Sequence, residues 1–211
     1  WDGDLGEKQA QLIRLFRRRL IPDVRRRLGC EGRADAAGGP DSESPAVKVA
    51  ELAFWREGAA YGRVEIPVDI TRIVCFDEAT VRTADGVVYR TASDGDMIEG
   101  KILALFSRTL MEHRDLVDIF LFANHLGEDS PKRIGKKLAT LRIESEVIQE
   151  RLADFVKHRA YHVRAVDDVV SSQLDSGAAA SIQSAGGGGV VLDAVLGMLR
   201  QRLNLGKGVK K

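Results

Sequence analysis

Glu99-Gly-Lys101-Ile-Leu-Ala-Leu-Phe-Ser-Arg108 and, after a gap of five residues, Arg114-Asp115-Leu-Val-Asp118 are the part of the sequence that most constrains the structure. Apolar residues recur at every third or fourth position through both segments. This period predicts two amphipathic helices that pack on a shared core. The apolar positions are Ile98, Ile102, Leu105, Phe106, Leu116, Ile119, Phe120 and Ala123.

Charged residues stand at helical spacing within these two segments. Lys101 and Arg108 are seven residues apart, which returns to the same helix face after two turns, about 10 Å along the axis. Asp115 and Asp118 are neighbours on the next helix at i,i+3. We therefore expect two cations and two carboxylates at the edge of buried surface, an arrangement suited to binding a polyphosphate.

Length and composition indicate a globular protein. The chain has 211 residues, 44% of them hydrophobic, enough for one large or two small domains with a normal core. No stretch approaches the roughly 18 apolar residues of a membrane helix, and no signal peptide is visible, so we expect no membrane partner. Cys30 and Cys75 give neither a disulfide framework nor zinc-ligand spacing, which favours a reducing cytoplasmic location.

Although the net charge is only +1, the N-terminal part is strongly basic. Seven arginines fall within residues 14–27, interleaved with apolar residues at helical spacing. The pattern predicts an amphipathic helix that restarts at Pro22 and ends at Gly29. One interpretation is a solvated face whose arginines pair with local carboxylates. The other is a docking strip for an RNA backbone, with Arg17 and Arg18 as binding residues.

A small, largely antiparallel sheet is predicted after this helix. Residues 31–45 are rich in small and chain-breaking types and predict a mobile loop. Residues 46–55 and 61–74 predict strands, and residues 80–91 predict a hairpin that turns at Asp85-Gly86. Pro67 cannot donate a ladder hydrogen bond, so its strand should lie at an edge or carry a bulge.

The pattern E-x-K-x-x-A-L-x-x-R … R-D-L-x-D-I, formed here by Glu99 to Arg108 and Arg114 to Ile119, resembles the C-terminal motifs of the AbiEii nucleotidyltransferases. These are toxins of bacterial type IV toxin–antitoxin systems with a polymerase-β-like fold. The resemblance extends over residues 46–126, because Arg63-Val-Glu-Ile-Pro-Val-Asp69-Ile is similar to the family's acidic strand. It implies NTP as substrate, Mg²⁺ as cofactor, RNA (with tRNA a candidate) as acceptor, and an antitoxin protein as partner.

The resemblance also implies site residues. Lys101 would bind the nucleotide phosphates, Arg108 would reach the same phosphates or brace the fold, and Asp115 and Asp118 would orient the cations. Arg114 belongs to the same group. The alternative is an ion-pair network that only joins two helices, as structural proteins also use.

Candidate carboxylates for Mg²⁺ stand in two other segments of the sequence. Glu65 and Asp69 share one face of the acidic strand, where the alternative is plain exposure of that face to water. Asp2 and Asp4 have the D-x-D spacing of the family's opening motif, which is otherwise missing. Because Asp also caps helices, either residue instead suits the start of the first helix. Since the sequence begins at Trp1 and not at Met, we expect a fragment or a processed product.

Beyond residue 128 the sequence predicts helices. One side of the first carries Lys132, Arg133, Lys136, Lys137 and Arg142. Helical periods continue through residues 144–158 and 159–175. His158 and His162 stand at i,i+4. This spacing suits two metal ligands, but no third ligand lies nearby in the sequence, and the alternative is a pair of partly exposed helix histidines. Residues 176–189 predict a flexible linker, and residues 190–211 a last helix and tail.

The sequence thus predicts an α+β fold. A nucleotidyltransferase-like domain with flanking helices spans residues 1–92, and a helical domain spans 93–175. The preferred function is nucleotidyl transfer from NTP to RNA. The alternatives are a non-catalytic interaction module of the same fold and a basic RNA-binding adaptor.

Overall fold

The computed structural model describes residues 4–37, 47–56, 58, 62–84, 86–108 and 110–203. The chain divides into two compact units, Trp1–Ile73 and Val74–Lys211. Helices and small antiparallel sheets occur together, which confirms the predicted α+β class. The division falls well before residue 92, where the sequence analysis put it, because the hairpin that follows Ile73 belongs to the second unit.

A continuous helical run opens the first unit. Its parts are α1 (Leu5–Leu15), a π-helical segment (Phe16–Leu20) and α2 (Ile21–Leu28). In the π-helical segment the Ile21 N–H donates to the carbonyl of Phe16, five residues back. Pro22 has no N–H, so it cannot supply the usual α-helical bond to residue 18. As predicted, the run ends at Gly29, whose φ of 64° lies in the left-handed region that glycine tolerates.

An antiparallel three-stranded sheet completes the first unit, in the order β1-β2-β3. The strands are β1 (Glu31–Ala37), β2 (Val47–Trp55) and β3 (Val64–Thr71). The prediction of a loop over residues 31–45 is therefore wrong for residues 31–37, which form β1. Residues 38–45 lie outside the described part of the chain. Pairing with β2 overrides the weak strand propensity of Gly, Ala and Asp in this segment. Pro67 lies on β3 at an edge of the sheet, as predicted.

The helical run packs on the sheet. Ile13, Ala34, Ala50 and Leu52 form the buried centre of the first unit. Partly buried apolar side chains from the helical run, β2 and β3 surround them: Phe16, Leu20, Ile21, Phe54, Val68 and Ile70. The small alanines let the helix approach the strands closely.

The second unit is mainly helical. It begins with the predicted hairpin, β4 (Thr80–Ala84) and β5 (Val87–Thr91), which forms a sheet of its own. The helices are α3 (Asp94–Ser107), α4 (His113–Phe122), α5 (Ser130–Thr140), α6 (Ser145–Lys157), α7 (Arg159–Gln173), α8 (Ser176–Ala185) and α9 (Gly188–Arg202), with a 3₁₀ turn at Ala123–His125.

Helix α4 lies at the centre of this unit. Its Leu116, Val117 and Ile119 are buried, and it packs against α3, α7 and α9. The Ser93 hydroxyl caps α3 by accepting from the Asp96 N–H at 3.0 Å. Both helices of the motif predicted from residues 98–123 are therefore present and packed together.

The predicted linker over 176–189 is wrong. Asp175 caps α8 by accepting from the Gly177 and Ala178 N–H groups, each at 3.0 Å, and the alanine-rich run that follows has high helix propensity. Only Gly186 and Gly187 form a turn, both with positive φ. Gly188 begins α9 and donates its N–H to Asp167 Oδ1 at 2.7 Å.

Among the described residues, no single helix has the length and apolar composition needed to cross a bilayer. Helices α8 and α9 reach that length and composition only as a pair, and they are bent by 77° at their junction.

Candidate functional site

The structure brings the two halves of the α3–α4 motif together. Lys101 Nζ lies 2.9 Å from Asp115 Oδ1 and 2.8 Å from Asp118 Oδ2. Arg108 Nη1 lies 2.8 Å from the other oxygen of Asp115. Lys101 lies in the C-terminal half of α3, Arg108 directly follows that helix, and the first turns of α4 supply the carboxylates. Asp115 therefore accepts from two different cations at once.

Burial differs sharply within this ionic cluster. The side chain of Asp115 is only 2% exposed, whereas that of Lys101 is 36% exposed. Burial by itself would lower the pKa of Lys101, but hydrogen bonds to Asp118 and Asp115 outweigh it and raise the pKa above its ordinary value. Arg114 is 64% exposed and lies 3.9 Å from Asp118, too far for a hydrogen bond. Lys101 is thus held charged, and Arg114 can reorient.

A cavity of about 370 Å³ opens beside these residues. Lys101 and Arg114 line it with two carboxylates, Asp94 and Asp118, and with apolar side chains. The ring of His125 lies 6.2 Å from that of Phe122, centroid to centroid, and both belong to the lining. Charged and apolar side chains therefore line one space of the size that small ligands occupy.

The predicted metal carboxylates lie in the first unit. Glu65 and Asp69 are exposed on β3, and Glu65 Oε1 forms an ion pair with Arg63 Nε at 2.9 Å. Asp4 caps α1 by accepting from the N–H groups of Gly6 and Glu7, which is the helix-cap alternative. Asp2 lies outside the described residues. Across the described part of the chain, no three His, Cys, Asp or Glu side chains gather in a group that could hold a metal ion. Within the described residues, Glu65, Asp69 and Asp4 therefore belong to no such group.

A second ionic cluster, which the sequence analysis missed, lies between α3 and α5. Lys137 is fully buried and contacts Asp96 Oδ1 at 2.5 Å and Glu99 Oε2 at 2.7 Å. Arg133 contacts the same two carboxylates, at 2.9 Å and 2.8 Å, and also Asp77 at 2.6 Å. From the sequence, Lys137 is expected on a charged helix side and Glu99 only within the α3 motif. Two spacings in the sequence were the available signal. Asp96 and Glu99 stand at i,i+3 on one helix, and Arg133 and Lys137 stand at i,i+4 on another, so each pair shares a helix face.

Electrostatics in this second cluster favour the ionised forms. A hydrogen bond from Arg133, followed by one from Ser93, lowers the pKa of Asp77 to about 2. Burial would raise the pKa of Asp96, but hydrogen bonds from Lys137 and from the N–H groups of Asp77 and Phe76 lower it overall. The cluster ties α3 to α5 and to the segment before the hairpin.

A chain of hydrogen bonds links the histidines of α4 and α7. His113 Nε2 lies 3.0 Å from His162 Nδ1, and His162 Nε2 lies 3.1 Å from Asp154 Oδ2. Because a carboxylate only accepts, neutral His162 donates from Nε2, so its Nδ1 accepts from His113. His158 bonds the other oxygen of Asp154 at 2.7 Å. His162 is buried and not partly exposed as predicted, and no metal group forms among the described residues here.

We expect this chain of hydrogen-bonded histidines to make the protein less stable in mild acid. Burial, followed by the nearby His162, lowers the pKa of His113 below its ordinary 6.5. Below pH 6.5 the unfolded chain therefore takes up a proton that the folded chain refuses, so the stabilisation present above pH 6.5 is lost as the pH falls. Urea unfolding at a series of pH values measures the slope. His113→Gln should reduce it, and an NMR titration placing the pKa of His113 at or above 6.5 would contradict the explanation.

Comparison of the chain with protein-family models, with curated proteins and with solved structures gives no significant match.

Proposed function

We propose that the protein is a nucleotidyltransferase of the AbiEii toxin type. It would act in the cytoplasm, take an NTP as its Mg²⁺ complex from solution, and transfer the nucleotide to RNA, with tRNA as the first candidate. A nucleotidyltransferase-like fold and an antitoxin protein as a partner are part of the same proposal.

The convergence of Lys101, Asp115 and Asp118 beside a cavity carries this proposal. Counted with Arg108 and Arg114, the cluster holds three cations against two carboxylates, so its formal charge is +1. Asp94, which also lines the cavity, is neutralised by Arg82 at 2.6 Å, so one excess cation remains beside the space and favours a phosphate. Exposed Arg114 is the cation best able to reach one, because the one ion pair it makes with a described residue is long.

In the proposed reaction, a hydroxyl oxygen of the RNA attacks the α-phosphorus of the NTP. A new P–O bond forms, and the bond from the α-phosphorus to the bridging oxygen breaks. Pyrophosphate leaves with that electron pair, and the hydroxyl proton passes to solvent. Lys101 and Arg114 would hold phosphate oxygens and oppose the negative charge, while Asp115 and Asp118 would fix the position of Lys101.

A non-catalytic interaction module is the second candidate. Its support is that Lys101 and Arg108 are already paired with carboxylates, so the cluster is complete as a link between α3 and α4. A structural link requires no nucleotide. The two candidates differ in what a change at Lys101 does to activity.

The deciding experiment measures incorporation of α-³²P-labelled ATP, CTP, GTP and UTP, one at a time, into total tRNA with Mg²⁺. We expect one or more nucleotides to label RNA with the full-length gene product. Lys101→Gln should lower the rate by about 100-fold or more, as for other groups that stabilise charge in a transition state. Lys132→Gln is the matched control, because Lys132 is exposed on α5.

Urea unfolding of each variant shows whether lost activity reflects lost structure. A folded, inactive Lys101→Gln protein beside an active Lys132→Gln protein supports the transferase. No label from any nucleotide with the unaltered protein overturns the proposal and favours the interaction module.

A further inference from the structure

The arginines of the helical run separate into two groups in the structure. Residues 14–27 hold seven arginines and a single carboxylate, Asp23. Four of the seven are paired with carboxylates. Arg17 pairs with Asp35 at 2.7 Å, Arg25 pairs with Glu31 at 3.0 Å, and Arg26 and Arg27 both pair with Asp23.

Arg17 has a further structural role. Its Nε donates to the carbonyl of Ala34 at 2.8 Å, in addition to the bond from Nη2 to Asp35. Both acceptors belong to β1, so Arg17 holds the helical run on the sheet. The geometry therefore favours bracing for Arg17 over the RNA-binding role predicted from the sequence.

Arg14, Arg18 and Arg19 form the second group. All three are exposed, and none has a carboxylate within ion-pair distance among the residues that the structure describes. Three uncompensated guanidinium groups within six residues create a local positive field. Guanidinium groups bind phosphate oxygens through paired N–H donors.

A groove of about 580 Å³ runs beside this second group. Arg18, Arg19 and Arg26 line it with the apolar residues Leu15, Leu20 and Pro22. Asp23 also contributes to the lining, but its charge is offset by its two arginine partners. The groove thus combines cations for phosphates with apolar surface for a flat group.

We propose that this arginine groove, defined by Arg14, Arg18, Arg19 and the adjoining cavity, binds single-stranded RNA. A duplex keeps its bases stacked inside, whereas a single strand can place a base on apolar surface while its phosphates meet arginines. The positive charge and the groove support a single-stranded polyanion. The choice of RNA over DNA rests on the proposed function.

The test is fluorescence anisotropy with a labelled 12-nucleotide RNA of mixed sequence and NaCl from 50 to 200 mM. No NTP is added, so binding is read without nucleotide transfer. Each phosphate contact contributes about 0.7 to the slope of log Kd against log salt, so Arg14→Gln, Arg18→Gln and Arg19→Gln together should lower the slope by about 2. The matched control changes the exposed Lys132, Lys136 and Lys157 of the second unit to Gln and should leave the slope unchanged.

A triple Arg→Lys variant at 14, 18 and 19 keeps the charge and should retain most of the slope, which separates lost charge from lost folding. If the triple Arg→Gln variant and the triple Lys→Gln control lowered the salt slope equally, the assignment of the surface would be overturned. Tighter binding of the matching RNA duplex would overturn the single-strand proposal, and tighter binding of single-stranded DNA would overturn the choice of RNA. Because no step of this assay involves nucleotide incorporation, failure here is distinct from failure of the transferase proposal.

Discussion

Lys137→Met should lower the free energy of unfolding by about 3–5 kcal/mol, the cost of removing one partner from a buried ionic pair. The ammonium group is fully buried and contacts both Asp96 and Glu99, which are themselves buried. Methionine fills nearly the same volume but leaves these carboxylates with Arg133 alone among side-chain cations. Urea unfolding followed by far-UV circular dichroism measures the loss. Trp1 and Trp55 both lie in the first unit, so their emission gives an internal reference.

Two further variants make this result specific. Lys136→Met changes an exposed neighbour on the same helix and should stay within about 0.5 kcal/mol of the unaltered protein. Adding Glu99→Gln to Lys137→Met should restore part of the loss, because one buried charge fewer is left without its partner. A loss below about 1 kcal/mol for Lys137→Met would mean that the buried cluster contributes little.

Gly188→Ala should cost about 1–3 kcal/mol, the usual range for overpacking. A methyl group at position 188 would lie 2.4 Å from the carbonyl oxygen of Val163 and 3.2 Å from the backbone nitrogen of Asp167. Because these are backbone atoms of α7, they cannot rotate away as a side chain can. The start of α9 would therefore have to move and weaken its hydrogen bond to Asp167. Thermal unfolding monitored by circular dichroism measures the change.

Gly197→Ala is the matched control, in the middle of the same helix. Among the described residues, no atom outside the adjacent residues and the backbone of α9 itself lies within 4 Å of a methyl group there. Alanine should therefore stabilise the protein by about 0.5–1 kcal/mol through its better helix propensity. Opposite signs for the two glycines would show that α9 packs tightly on α7. If both substitutions stabilised the protein, the segment would be as free as the sequence analysis expected.

Local patterns made much of the helical unit predictable. Helices α3, α4, α6 and α7 each carry one sustained helical period, so their presence follows from nearby residues alone. Strand β1 has no such signal, since alanine, glycine and aspartate favour other structures, and its formation depends on pairing with β2. The glycines near residue 187 suggested a flexible segment because glycine has few conformational restrictions. The sequence does not reveal that one of them, Gly188, packs against the backbone of another helix.

The candidate site shows the same difference between local and distant information. Asp115 and Asp118 stand at fixed spacing on one helix, and Lys101 precedes them by a short distance, so their proximity could be anticipated. The burial of Lys137 was missed, because its carboxylate partners Asp96 and Glu99 lie on another helix far back in the chain. Lysine is also among the residues least often buried without a partner. His162 was misjudged for a related reason, since its partner His113 lies on another helix.

The π-helical segment Phe16–Leu20 has a consequence for evolutionary comparison. A π turn accommodates one residue more than an α turn, so a related protein with a regular α-helix here would be one residue shorter. Alignment would then require a gap inside a helix, where gaps are usually penalised. The position of that gap would decide which of Arg17, Arg18 and Arg19 is matched to a given cation in the relative. Superposition of the backbones, and not residue counting, is therefore the sound basis for assigning equivalence along this part of the chain.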